Sequence, residues 1–195
     1  MLRLSAVERS IARRSRVRRW LRRLLLRPEP QDVMKILRYR PDLYGAHLNA
    51  LKEAAFRESS YWSPEEQDLF AAFVSRLRQC EICTVMHALP ASRHTGRDAV
   101  AAVLADWRSA SLRPPVAAAF RALETLVQDT ARFGSADLEE LRALGVPPGA
   151  IKDLLYISTV MSINVRVASA LGATLDGTFA RAVRQFRSPR KATDG

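Results

Sequence analysis

The chain has 195 residues, is 48% hydrophobic and carries a formal net charge of +11. That length and apolar content suffice for one substantial core, so one folded domain is expected rather than two. Two cysteines exclude a disulfide framework, and their close spacing points to a reducing compartment, which makes a cytoplasmic location the expectation.

The charge is concentrated at the start. Residues 1–27 hold ten arginines against a single acid, Glu8, so most of the net charge precedes Pro28. The basicity therefore belongs to an arm and does not mark the whole chain as a nucleic-acid binder. Val17, Trp20, Leu21, Leu24 and Leu25 recur at helical spacing between the arginines, which predicts a basic amphipathic helix or a flexible extension. A solvated or oligomer-packing arm is the plainer reading. An anionic membrane surface, nucleic acid, an acidic partner, a targeting role and translation from Met34 are its alternatives.

Residues 28–187 read as consecutive helices separated by short breakers. Leu43, His47, Leu48, Leu51 and Ala55 repeat at helical spacing. Ser63-Pro64-Glu65-Glu66 then supplies an N-cap, a proline at the first helical position and early acids, ahead of the apolar stripe Leu69, Phe70, Phe73, Val74 and Leu77. The next helix is predicted to begin near Cys80 and end at Leu89 or Pro90, followed by one carrying Val100, Val103, Leu104 and Trp107. Pro114-Pro115 opens a helix with Val116, Phe120, Leu123 and Val127, and Ser135 is expected to cap a short one through Leu144, ended by Gly145.

Pro147-Pro148-Gly149 turns into a core helix from about Ile151, closed by Gly172 or Gly177. Its apolar-rich stretch, Leu154 to Leu171, is interrupted by Ser158, Ser162, Asn164, Arg166 and Ser169, so no apolar run is expected to reach bilayer-spanning length. No segment alternates cleanly as a strand does. An all-α domain follows, with residues 188–195 expected to be a disordered tail.

Chemistry concentrates in Cys80-Glu81-Ile82-Cys83-Thr84-Val85-Met86-His87. On a helix, positions i, i+3 and i+7 share one face, so two sulfurs and an imidazole converge. A cysteine at about pKa 8.5 is mostly protonated near neutrality, and two features here favour the thiolate. The pair lies near a helix N-terminus, and His87, one turn beyond Cys83, can accept a proton directly or through water. The Cys-x-x-Cys spacing permits an intramolecular disulfide, so one sulfur is oxidised by peroxide and the other resolves it before an external dithiol restores both. Cys83, nearer His87 in register, is the candidate for attack, and Cys80 for the resolving role. No metal or organic cofactor is required.

The stretch from Trp62 through Val74-Ser75-Arg76-Leu77 to Cys80-x-x-Cys83 and His87 resembles the AhpD-like alkylhydroperoxidase and carboxymuconolactone decarboxylase superfamily, in its peroxidase-related branch. Ala136 to Leu144, Gly145-Val146, Ile151 to Leu155 and Arg166 to Gly172 are similar to the same branch. The match spans about residues 40 to 176 and leaves the basic arm outside. It implies an AhpD-like all-helical domain with the Cys-x-x-Cys site at a helix N-terminus, and a homo-oligomer that is trimeric or built from trimers. It also implies a thiol-dependent hydroperoxide reductase supplied with electrons by a dithiol or by a lipoylated or thioredoxin-like protein. The family's proton relay falls on Asp68, Cys80, Cys83 and His87, with the sulfenic acid on Cys83.

Three positions depart from the family pattern. Asp68 stands where glutamate is usual, and the shorter side chain is expected to reach His87 only through water. Ile82 replaces a histidine or tyrosine and so removes a polar hydrogen from the relay. Gln79 replaces the glycine common before the first cysteine. The competing readings are inert core thiols, a zinc site in which His94 or Asp68 joins Cys80, Cys83 and His87, and a lactone decarboxylase. A further one is a non-enzymatic redox-sensing module that docks through its basic arm. His47 and His94 alone carry no assigned role.

Overall fold

The computed structural model describes residues 46–58, 61–175 and 180–186. The basic arm, Met34, Gly177 and the 188–195 tail lie outside them. The described residues are helical with no strand: α1 (Ala46–Ala55), α2 (Pro64–Leu77), α3 (Glu81–Thr95), α4 (Arg97–Ala105), α5 (Pro114–Gln128), α6 (Ser135–Ala143), α7 (Pro148–Leu171) and α8 (Ala180–Phe186).

The α2 start follows from its sequence. Ser63 Oγ accepts the Glu66 N–H at 3.2 Å while Glu66 Oε2 accepts the Ser63 N–H at 3.0 Å, a closed capping box with Pro64 at the first helical position. The α2 stripe buries Phe70, Ala71, Phe73 and Val74. Phe70 meets Trp62 edge-on at 5.1 Å and Phe120 of α5 at 5.7 Å, so one aromatic cluster ties α2 to α5 and to the segment before it.

Helices α2 and α3 form a hairpin, joined only by Arg78, Gln79 and Cys80. So short a reversal demands an unusual backbone, and Gln79 adopts φ 57, the left-handed region that favours glycine. Glycine takes this conformation without the steric cost of a Cβ, so Gln79 is strained. Gln79→Gly is expected to stabilise the fold by about 1 kcal/mol, raising Tm by roughly 2–4 °C. Thermal unfolding measures this; an unchanged or lower midpoint contradicts it.

Three boundaries differ from the sequence expectation. Helix α3 runs through Pro90 to Thr95, because Ala88, Ala91 and Ser92 are buried against the core and their packing outweighs the one backbone hydrogen bond a proline forfeits. Trp107 is buried, yet it follows α4 rather than belonging to it. At α6, Gly134 is the N-cap and Ser135 the first helical residue; the Gly134 N–H donates to Asp137 Oδ2 at 2.9 Å, so the start is tied by the acid reaching back and not by a serine cap.

Helix α7 is the central element and packs against α1, α2, α3, α5 and α6. Gly172 closes it in the left-handed conformation, φ 66 and ψ 40. By length and composition alone it is apolar enough to cross a membrane, contrary to the sequence expectation, because serines and threonines lower the mean hydropathy only slightly. Here it supplies core: Leu154, Ile157, Val160, Met161 and Val165 are all buried. Its one buried charge, Asp153, is fully enclosed and receives Arg57 Nε at 2.9 Å and Nη2 at 3.3 Å. Trp62 Nε1 donates to the Ala150 carbonyl at 2.9 Å, and Gln67 Nε2 to the Arg57 carbonyl at 3.0 Å. These bonds hold the end of α1, with Phe56, beside α2 and α7.

Candidate active site

The α2–α3 hairpin builds the site. Cys80 is the N-cap of α3 and Cys83 lies one turn inside it. Both are free thiols, 4% and 5% exposed, with their sulfurs 2.7 Å apart and sharing a hydrogen bond. A helix start of this kind leaves amides without intrahelical acceptors, an environment that favours an anion. The Cys80 thiol is held below the ordinary cysteine range, chiefly by the hydrogen bond it shares with the Cys83 sulfur; burial opposes this, and the Cys83 amide and the Ser169 hydroxyl lower it further. The amide contributes through proximity rather than as a formed side-chain cap. Cys83 is pushed far up by the same bond, by burial and by the charge on Cys80. The two thiols are coupled, so the pair loses its two protons in well-separated steps.

The second pair is Asp68 and His87. Asp68 Oδ1 lies 2.7 Å from His87 Nδ1, so aspartate reaches the imidazole directly and the water bridge expected from its short side chain is not needed. Tight packing of α2 on α3 closes the distance that glutamate's extra methylene would otherwise span. With the carboxylate ionised, Nδ1 donates to it and Nε2 carries the lone pair, which is the tautomer of a general base. Phe56 stacks on the imidazole with centroids 5.4 Å apart and planes 8° from parallel. The ring is thus fixed in both rotation and tautomer.

Among the described residues no hydrogen bond joins His87 to either sulfur, so a proton passing between the two pairs needs a bridging water or reactant. Glu65 and Glu66 stay apart from His87. Glu65 holds His94 at 2.8 Å, and Glu66 closes the capping box and pairs with Arg113 at 2.7 Å. His94 is thereby kept out of the cysteine cluster, His47 is exposed on α1, and no group of three or more His, Cys, Asp and Glu among the described residues is placed to hold a metal ion.

A cavity of about 560 Å3 opens at the start of α3, bounded by Cys80, Ile82, Ser169, Leu175, Val183 and Arg184. Two participants here escaped the sequence reading. Phe56 carried no signal beyond being aromatic near a helix end, and Ser169 arrives from α7, far from Cys80 in sequence. Ser169→Ala is expected to slow alkylation of Cys80 by iodoacetamide several-fold at pH 7, because one donor to the thiolate is gone. The pH–rate profile checks the sign: a raised thiol pKa moves the curve to higher pH, and the two proteins converge once both are ionised. Superimposable profiles contradict the contact.

No family model and no curated protein matches the chain. Solved structures do. An uncharacterized peroxidase-related protein from Silicibacter sp. TM1040 superposes with a TM-score of 0.70 at 20% identity, covering 76% of this chain and 78% of its own. An uncharacterized peroxidase-related protein with an alkylhydroperoxidase AhpD core, from Ralstonia eutropha JMP134, gives a TM-score of 0.70 at 21% identity, covering 79% and 81%. The chain has the AhpD-like fold. The same fold includes the debrominase Bmp8, at a TM-score of 0.68 and 15% identity with coverage of 80% and 83%. A cysteine-to-alanine variant of Bmp8 was solved with 2,3,4-tribromopyrrole. The all-α architecture and the fold implied by the resemblance are thus found, and the AhpD-like fold here carries its paired thiols at the start of α3.

Proposed function

We propose that the protein is a thiol-dependent peroxidase whose Cys80–Cys83 pair is oxidised to a disulfide by a hydroperoxide and restored by an external dithiol. The observation that carries this reading is the 2.7 Å approach of two free sulfurs at a helix start, beside an imidazole oriented by a carboxylate. A thiolate attacks the outer peroxide oxygen, the O–O bond breaks and the alkoxide takes a proton. The second sulfur then displaces water from the sulfenic acid and closes the disulfide. His87, held by Asp68, accepts the thiol proton through a bridging molecule and returns it to the leaving oxygen. A donor dithiol reduces the disulfide by two exchanges and departs oxidised.

The test is consumption of an organic hydroperoxide with dithiothreitol as reductant. Turnover is expected from the wild type and is lost when both cysteines are replaced by serine. Unchanged consumption in the double variant lacking both cysteines, Cys80→Ser with Cys83→Ser, overturns the reading.

The cavity beside the pair and the superposition on a debrominase, at a TM-score of 0.68, favour a second reading, reductive dehalogenation of a small aromatic ring by the same thiols. Bromide release from a bromopyrrole, without hydroperoxide consumption, supports that reading over the first. The non-enzymatic alternative, a redox-sensing module docked through the basic arm, instead calls for a partner or membrane affinity that deletion of residues 1–27 abolishes and salt weakens.

A further inference from the structure

We infer that Cys80 is the sulfur that meets the external reactant and Cys83 the one that resolves, the reactant entering through the cavity at the start of α3. This rests on the reading of the pair as a redox centre and assigns the order within it, which is the reverse of the order that the resemblance implies.

Access decides first. Both cysteines are nearly buried, so neither meets bulk solvent freely. Cys80 is the one that borders the 560 Å3 cavity; neither Cys83 nor His87 does. The cavity wall is supplied by α3, the end of α7 and α8, with Ile82, Leu175 and Val183 giving it an apolar side and Arg184 and Glu81 its charged groups. A molecule lodged there borders Cys80 and not Cys83.

Helix position points the same way. Cys80, as the N-cap, sits outside the first turn, where free amides, that of Cys83 among them, face a negative charge; Cys83 lies inside that turn. Ser169, from α7, adds a hydroxyl on the cavity side of Cys80. The Asp68–His87 pair serves the other sulfur. His87 is one helical turn from Cys83 but two from Cys80, so the oriented base is in register with the thiol that must lose its proton later.

The order gives a balanced sequence. The Cys80 thiolate attacks the outer oxygen of ROOH, giving Cys80–SOH and alkoxide, which becomes ROH by taking one proton. Cys83–SH then yields its proton toward His87 as its sulfur attacks Cys80. The S–O bond breaks, hydroxide leaves and is protonated to water, and the Cys80–Cys83 disulfide remains. Reduction runs through the same opening: a donor thiolate attacks Cys80, the S–S bond breaks with its electron pair on Cys83, and the donor's second thiol frees Cys80. Ile82 then acquires a use as the apolar cavity wall beside the attacking sulfur, where a relay residue is not needed.

The experiment is exchange with 5,5′-dithiobis(2-nitrobenzoate), followed by release of the aromatic thiol, which ranks the sulfurs without any peroxide chemistry. Cys83→Ser, which keeps Cys80 and a hydroxyl donor beside it, is expected to react at pH 7 at least about tenfold faster than Cys80→Ser. Equal rates, or a faster Cys80→Ser, overturn the order. Leu175→Trp in the otherwise unaltered chain gives a second measurement: narrowing the cavity slows exchange several-fold, and an unchanged rate overturns the route. A wild type that exchanges in the stated order yet spends no hydroperoxide removes the peroxidase reading and leaves the assignment of Cys80 standing.

Discussion

His87→Ala slows hydroperoxide turnover by about 10²- to 10⁴-fold at neutral pH, the range a positioned general base commonly supplies. The expectation follows from geometry. Asp68 fixes Nδ1 at 2.7 Å and Phe56 fixes the ring plane, so Nε2 is presented in one tautomer and one orientation. Without the imidazole the buried Cys83 thiol, whose acidity is suppressed by burial and by its neighbour's charge, must give its proton to water. The deficit therefore shrinks as pH rises and hydroxide substitutes for the lost base. Asp68→Asn separates positioning from basicity: the amide can donate to Nδ1, which places the imidazole proton on Nε2 and removes the acceptor while the hairpin stays packed. Asp68→Glu, which keeps the carboxylate, should retain most of the activity. Steady-state rates across pH check all three, and an undiminished rate in His87→Ala contradicts the assignment.

The second large effect falls on stability. Phe70→Ala is expected to cost about 3–5 kcal/mol, the usual range for removing a buried aromatic ring. Phe70 is fully buried, contacts Trp62 and Phe120 edge-on, and occupies the junction of α2, α5 and the segment before α2. Domains of ordinary stability have only about 5–15 kcal/mol to lose, so the variant stands near the threshold of unfolding at room temperature. Because α2 also carries Asp68, loosening that helix weakens the carboxylate–imidazole contact before the chain unfolds. Urea denaturation provides the number from the shift in midpoint at unchanged slope. A loss under about 1 kcal/mol would mean that the aromatic cluster closes over the gap.

Much of this arrangement is written locally, and what is written locally was legible. Ser63-Pro64-Glu65-Glu66 names a helix start, and α2 begins there with its capping box closed. Cys80, Cys83 and His87 share a short stretch, so helical register alone brings them together. Asp68 follows from the resemblance along α2, and its direct bond to His87 shows that aspartate is long enough where the two helices pack closely. The glycine missing at position 79 signalled a special backbone, and Gln79 does adopt a positive φ.

What was not legible depends on contacts between distant segments. Pro90 is a helix breaker by local rules, and only the burial of Ala88, Ala91 and Ser92 explains why α3 continues. Ser169 comes to Cys80 because α7 returns across the hairpin, and Phe56 comes to His87 because Arg57 is anchored on Asp153. The order of the two sulfurs is of the same kind. Distance to His87 along the helix favours Cys83 for attack, whereas the cavity, formed by α3, α7 and α8 together, favours Cys80.

The most direct measurement is a count of free thiols in denaturant before and after one equivalent of an organic hydroperoxide is added to fully reduced protein. Two thiols per chain are expected before and none after, with a mass decrease of about 2 Da for the two hydrogens lost on closing the disulfide. Two thiols still present, with the hydroperoxide unspent, would contradict the account.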